Sequence, residues 1–170
     1  MTVFFDGAGF QAEQLCAKQF RGCTTSNKEH QYKDIDCFVS PKDSKKVYSA
    51  SVKDQRTSTK LGYDTIQLEL ELVNTDTNKT IEGCFYKNES DFYFWLIHKD
   101  GEDWWCIVKS STLKKYVKEN KPKLKTWQTK QATEDKNRSY GRFYNRSKGV
   151  LVSFSVLQEL GQLVKLKVNS

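Results

Sequence analysis

Two residues stand out for the chemistry they can do together. Asp36 sits in an otherwise apolar run, Ile35-Asp-Cys-Phe-Val39, and Lys53 ends the next β-type run, Lys46-Val-Tyr-Ser-Ala-Ser-Val-Lys53. If these runs pair as an antiparallel hairpin, the acid and the lysine fall near the same end of the ladder. An acid and a lysine held across a sheet, with further acids nearby, suit a divalent-metal site for phosphodiester hydrolysis. Carboxylate oxygens hold Mg²⁺ or Mn²⁺, which polarises the phosphate and lowers the pKa of a water. The lysine orients the nucleophile and stabilises the charge of the transition state. A carboxylate flanked by apolar residues is costly to bury unless it is paired or binds a cation. The plainer alternative is an Asp36 that caps a turn and a Lys53 that faces solvent.

A second constellation lies in Asn137-Arg-Ser-Tyr-Gly-Arg-Phe-Tyr-Asn-Arg146. Arg138, Arg142 and Arg146 recur every four residues, interleaved with Tyr140, Phe143 and Tyr144. Guanidinium forks bind phosphate and aromatic faces stack on unpaired bases. On a helix the three arginines share one face, whereas Gly141 argues for a loop. Together with Lys114, Lys115 and Lys130 they predict a surface for the DNA backbone, which supplies affinity without sequence choice. The segment 109–148 holds 13 Lys and Arg against three acids, a net of +10, which leaves about −3 for the rest of this +7 chain. Such asymmetry predicts a basic face beside a more acidic part.

The elements that must position these groups follow from periodicity. Residues 8–20 place Phe10, Leu15 and Phe20, with Ala12, Cys16 and Ala17, on one stripe of a helix. Pro41-Lys-Asp-Ser-Lys45 turns the chain between the two runs that carry Asp36 and Lys53. Thr65–Val73 alternates strictly, with Ile66, Leu68, Leu70 and Leu72 on one side and Gln67, Glu69 and Glu71 on the other: a half-buried strand. Residues 80–87 return from it. Residues 92–97 and 104–108 flank the turn Lys99-Asp-Gly-Glu102 as a buried hairpin, and Ser110 or Ser111 caps a helix to about Glu119. Residues 150–156 read as a strand and 155–165 as a helix weakened by Gly161. This order predicts an α/β (α+β) single domain, with 1–121 as its core and a basic C-terminal segment, 122–170, packed on it.

The helix with Glu13, then Tyr32-Lys-Asp-Ile-Asp36-Cys-Phe-Val, then Val47-Tyr-Ser-Ala-Ser-Val-Lys53-Asp-Gln55, resembles the PD-(D/E)xK nuclease superfamily. The motif spans residues 13–55 and the wider likeness about 8–117. The resemblance implies a restriction-endonuclease-like mixed β-sheet flanked by helices. It further implies a Mg²⁺-dependent DNA endonuclease of phage or bacterial type, often acting as a homodimer. It assigns Asp36 to the acid of the second strand, Lys53 to the lysine of the third, and Glu13 to an acid joining from the first helix. Gln55 resembles the group's V-K-x-Q ending. One departure is plain: Ser51 stands where the family has Asp or Glu. A second metal-binding carboxylate must then come from elsewhere, with Glu69 first, Glu71 second and Glu13 also in place. Two other readings compete: a non-catalytic nucleic-acid-binding protein made inert by Ser51, and a protein-binding inhibitor module.

Several classes fall away. No apolar run approaches the roughly 20 residues that span a bilayer, so no membrane association is expected. The start, with Asp6 where an apolar stretch would continue, does not read as a signal peptide. Five cysteines without a CxxC or Cys/His cluster predict reduced core residues and a cytoplasmic setting rather than a disulfide framework or a zinc site. Asp6-Gly-Ala-Gly9 lacks the Lys-Ser/Thr of a phosphate loop, and His30 and His98 show no metal spacing.

Overall fold

The computed structural model describes residues 7–42, 44–129, 133–135 and 143–167. In chain order the elements are α1 (Gly7–Gln19), β1 (Cys23–Thr24), α2 (Lys28–Tyr32), β2 (Cys37–Val39), β3 (Tyr48–Asp54), α3 (Arg56–Lys60), β4 (Thr65–Asn74), β5 (Thr80–Glu82) and α4 (Cys84–Lys87). They continue as β6 (Phe92–Lys99), β7 (Glu102–Lys109), α5 (Ser110–Asn120), a 3₁₀ turn at Lys121–Lys123, β8 (Thr126–Gln128), β9 (Thr133–Asp135), β10 (Phe143–Ser153), α6 (Phe154–Leu160) and β11 (Gln162–Lys165).

The strands form two sheets. The first runs β1-β2-β3-β6-β7-β11 and the second β5-β4-β10-β8, with β9 also on β10. The expected hairpin is present: β2 pairs antiparallel with β3, Cys37 opposite Ala50 and Val39 opposite Tyr48. β3 then pairs parallel with β6, which requires a long crossover. That crossover carries β4 and β5 away into the second sheet. β6 and β7 meet through Asp100-Gly101, both at positive φ (53° and 77°), the two-residue turn whose twist matches paired strands.

β6 is buried on both faces, which explains its unbroken apolar run. On one side Phe94 and Leu96 join Cys37, Val39, Ala50, Val52, Trp105 and Ile107 beneath α1. On the other, Tyr93, Trp95 and Ile97 meet Ile66, Leu68, Leu70, Val150 and Val152 of the second sheet, closed by Phe85, Leu113, Val117, Phe154 and Leu157. The fold is therefore mixed α/β, but one face of the first sheet is covered largely by a second sheet, where helices alone were expected. The reason lies in the alternation of β4: its single apolar face needs a sheet-sized partner, and the free face of β6–β7 provides one.

Three further expectations change. The buried stripe of α1 centres on Ala12 and Cys16, both 0% exposed, while Phe10 is 47% exposed. The small side chains let the helix lie close on Ala50. Ser110 does not cap α5 by accepting a backbone hydrogen bond; Lys109 holds the cap position, and the Ser110 hydroxyl meets that of Ser90 at 3.1 Å. Residues 155–165 are not one helix. α6 stops at Gly161, where a Cβ would lie 2.0 Å from the Ile107 carbonyl oxygen, and the chain continues as β11 against β7. Within the C-terminal segment, β8 and β10 are strands of the second sheet. Among the described residues no helix is long and apolar enough to cross a membrane, and all five cysteines are free.

Candidate functional site

β3 alternates, with Ala50 and Val52 under α1 and Ser51 and Lys53 on the opposite face, across from Tyr93 and Trp95 of β6. Asp36 enters β2 as the next rung of its ladder: its N–H donates to the Ala50 carbonyl at 2.9 Å. Its Oδ2 accepts from the Val52 N–H at 2.7 Å. The carboxylate is thereby tied to the backbone of the strand that carries Lys53. Ser51 is fully buried beside it, and its hydroxyl finds no hydrogen-bond partner of good geometry.

The Lys53 ammonium donates to Asp34 Oδ1 at 2.7 Å, with 34% of the lysine side chain and 13% of the aspartate exposed. Asp34 stands at φ 56°, a left-handed backbone that Asp tolerates better than most residues. Its other oxygen, Oδ2, accepts from Asn88 Nδ2 at 3.0 Å. Asn88, buried just after α4, accepts in turn from the Ser90 N–H and hydroxyl. Lys114 of α5 donates to the Asn88 carbonyl oxygen. Lys53 thus belongs to a relay of fixed polar groups that runs into the start of α5.

The charges act on one another. Burial raises the pKa of Asp36, and Lys53 and the Val52 N–H offset this only in part. Burial lowers that of Lys53, but Asp34 and Asp36 outweigh it and the ammonium ends above its ordinary value. Glu13, from α1, is pushed up to about 7 by burial and then by the charge of Asp36, against a smaller pull from Lys53. The carboxyl of Glu13, the carboxylates of Asp34 and Asp36 and the ammonium of Lys53 therefore share one electrostatic site. Tyr93 borders it: burial, then the charges of Asp34, Cys84 and Asp36, raise its phenol pKa.

Glu13 carries a testable pH signature. Its folded pKa of about 7 exceeds the ordinary 4.5, so between these values the folded chain binds more protons than the unfolded chain. Its contribution to stability is full below the lower value, declines as pH rises through the window, and is flat above it. Glu13→Gln should remove that decline and raise the urea midpoint of unfolding near pH 8 relative to wild type, while leaving the midpoint near pH 4 little changed. An unchanged difference between the two pH values would remove Glu13 from the site.

The other expected site residues are distributed as follows. Glu69 stays on the second sheet, where Oε1 accepts from the Cys84 N–H at 3.1 Å and Oε2 from the Ser147 hydroxyl at 2.7 Å. Cys84 faces the charges of both Glu69 and the acid–lysine group. Desolvation, then the charges of Glu69 and Asp34, push that thiol up to about 11, although part of the residue is open to solvent. Glu71 lies opposite Lys148 in the β4–β10 register. Gln55 caps α3 and turns its Oε1 to the Ser58 hydroxyl at 2.9 Å. Lys114 is half-buried on Asn88, Lys115 is exposed beside Glu119 at 4.0 Å, and Arg146 is exposed on β10. Arg138, Arg142 and Lys130 lie outside the described residues. His30 Nδ1 meets the Thr25 hydroxyl at 2.8 Å, and His98 Nδ1 meets Asp103 at 2.7 Å.

Sequence reasoning missed Asp34, Asn88 and Tyr93. Asp34 had a legible signal, since Asp34-Ile-Asp36 spaces two acids by two residues at a strand entrance. Asn88 and Tyr93 had none, because their roles depend on the crossover that brings β6 beside β3.

Among the described residues no three of His, Cys, Asp or Glu are arranged as a metal-ligand group. Mg²⁺ does not need one. It is commonly held by one or two carboxylates, with water and substrate phosphate completing the shell. Glu13, on which the charge of Asp36 acts, and Asp36, with the buried Ser51 beside it, are the oxygen donors a hard cation would meet there. Comparison of the chain with protein-family models, curated proteins and solved structures returns no significant match.

Proposed function

We propose that this chain is a Mg²⁺-dependent endonuclease that hydrolyses phosphodiester bonds in DNA. The observation that carries the reading is the convergence of Glu13, Asp36 and Lys53 from α1, the entrance of β2 and the end of β3. The order helix, Asp on the second strand, Lys on the third, within a mixed sheet, supports the likeness to the restriction-endonuclease-like fold. Asp36 and Glu13 would hold the cation, with Glu69 a more distant acid anchored on the neighbouring sheet. When bound, the ion supplies charge that polarises the phosphate and acidifies a water.

The chain's own groups do the rest. Lys53, kept protonated by Asp34 and Asp36, presents a positive charge where the phosphate gains negative charge. Asp34 and Asn88 hold that ammonium in place. Val52 N–H fixes the Asp36 carboxylate. The basic segment, including Lys115 and Arg146, supplies backbone contacts to DNA.

The test is incubation of supercoiled, linear and branched DNA with Mg²⁺ or Mn²⁺ beside Asp36→Ala and Lys53→Ala. Metal-dependent cleavage lost in both variants supports the proposal; cleavage that survives either sinks the mechanism. A binding protein without catalysis is the second reading, favoured by the 2.7 Å pairing that already engages Lys53 with Asp34. It predicts salt-sensitive DNA binding and no cleavage in any metal.

A further inference from the structure

A cleft of about 810 Å³ shares, among the described residues, no lining residue with the acid–lysine site. Lys118 of α5, Lys121 of the 3₁₀ turn and Lys148 of β10 border it, with Glu71 of β4 as the one acid among the described lining residues. Trp127 of β8 forms part of its wall, beside the aliphatic Leu124. Lys118 and Lys121 are exposed, and Lys148 and Trp127 are half-buried.

The indole is held rather than loose. Its Nε1 donates to the Val150 carbonyl oxygen at 3.2 Å. Gly149 makes that approach feasible: a Cβ there would lie 2.8 Å from the indole nitrogen and 1.8 Å from the Leu68 carbonyl oxygen. A fixed aromatic wall with a rim of three ammonium groups selects a ligand that has both a planar face and negative charge on a short link. A cationic rim alone would accept any polyanion; the indole narrows the choice to a nucleotide. In a duplex each base already stacks on its neighbours, and the bases are reached only through grooves, so an indole finds no free face. An unpaired nucleotide offers one, and the cleft falls within the size range of pockets for small ligands.

We propose that this cleft holds an unpaired nucleotide of a single-stranded polynucleotide, with the base on Trp127 and phosphates at Lys118, Lys121 and Lys148. This deepens the hydrolase reading by naming the form of nucleic acid, and it rests on that reading for cleavage but not for binding.

The experiment measures fluorescence anisotropy in EDTA with labelled oligodeoxythymidine and oligouridine of ~15 nucleotides, a duplex of similar length, and polyglutamate as competitor. Trp127→Ala should weaken both single strands about tenfold and the duplex less than about twofold. Trp127→Phe, which keeps an aromatic ring, should restore most of that loss. The exposed pair Lys118→Gln/Lys121→Gln should lower the slope of log K against log salt by about 1.4. A preference for the ribo or the deoxy strand identifies the sugar, and either supports the proposal.

It is overturned if the duplex binds as tightly as single strands. It is equally overturned if Trp127→Ala and the lysine pair leave single-strand affinity unchanged, or if polyglutamate competes as well as the oligonucleotides. Trp127-dependent binding without any cleavage would sink the hydrolase reading and leave the cleft; Asp36-dependent cleavage without Trp127-dependent binding would do the reverse.

Discussion

Asp36→Asn is expected to lower metal-dependent nicking of supercoiled DNA by about a hundred- to a thousandfold, the loss found when one charge-stabilising group leaves an active site. The substitution is nearly isosteric. The amide oxygen can still accept the Val52 N–H that Asp36 Oδ2 now accepts at 2.7 Å, so the β2–β3 rung survives. What disappears is a negative charge in a place where burial already opposes it. The same change should bring the Glu13 carboxyl below its present value of about 7, because the charge of Asp36 is one of the causes that raise it. Nicking by the Asn variant at the wild-type rate, with an unchanged thermal midpoint, would mean that Asp36 does no metal chemistry.

Trp105→Ala is the substitution expected to cost most in stability, about 3–5 kcal/mol for a fully buried aromatic. At roughly 2–4 °C per kcal/mol for a chain of this size, the thermal midpoint should fall by about 10 °C. Trp105 is 0% exposed, and its ring meets Phe20 at 6.2 Å and Phe94 at 6.0 Å, edge to face. Its Nε1 donates to Gln19 Oε1 at 3.0 Å. Through these contacts it fixes the C-terminal half of α1, the helix that carries Glu13. Calorimetry reads the loss directly. A shift of only ~2 °C would show that α1 docks without the indole, and would weaken the case that Glu13 is positioned by packing.

Local periodicity carried much of the architecture. The alternation of 65–73 appears as β4, the Asp-Gly turn joins β6 to β7, and the hairpin of β2 and β3 brings Asp36 next to Val52 and one residue from Lys53. These features are legible because each depends on residues close in sequence, through a two-residue side-chain period or the φ demands of a turn. The departure at Ser51 was equally plain, and the buried hydroxyl without a partner keeps it the least ordinary position of the site.

The rest depends on contacts between distant segments. Nothing in residues 55–91 says that β3 and β6 are parallel neighbours, yet that pairing carries β4 into a second sheet and puts Tyr93 beside the acids. Glu69 faces the polar side of its strand, as alternation requires, but the β4–β10 pairing and Gly83 give its carboxylate to Ser147 and Cys84 rather than to Asp36. Asp34 holds Lys53 because the chain turns through a left-handed residue just before β2. Side-chain types and short-range spacing named Asp36 and Lys53, since chemistry and strand register are local properties, and the family resemblance added Glu13. Which carboxylate attends them was set by the three-dimensional packing, since a charge responds to every group within several ångströms, whatever their separation along the chain.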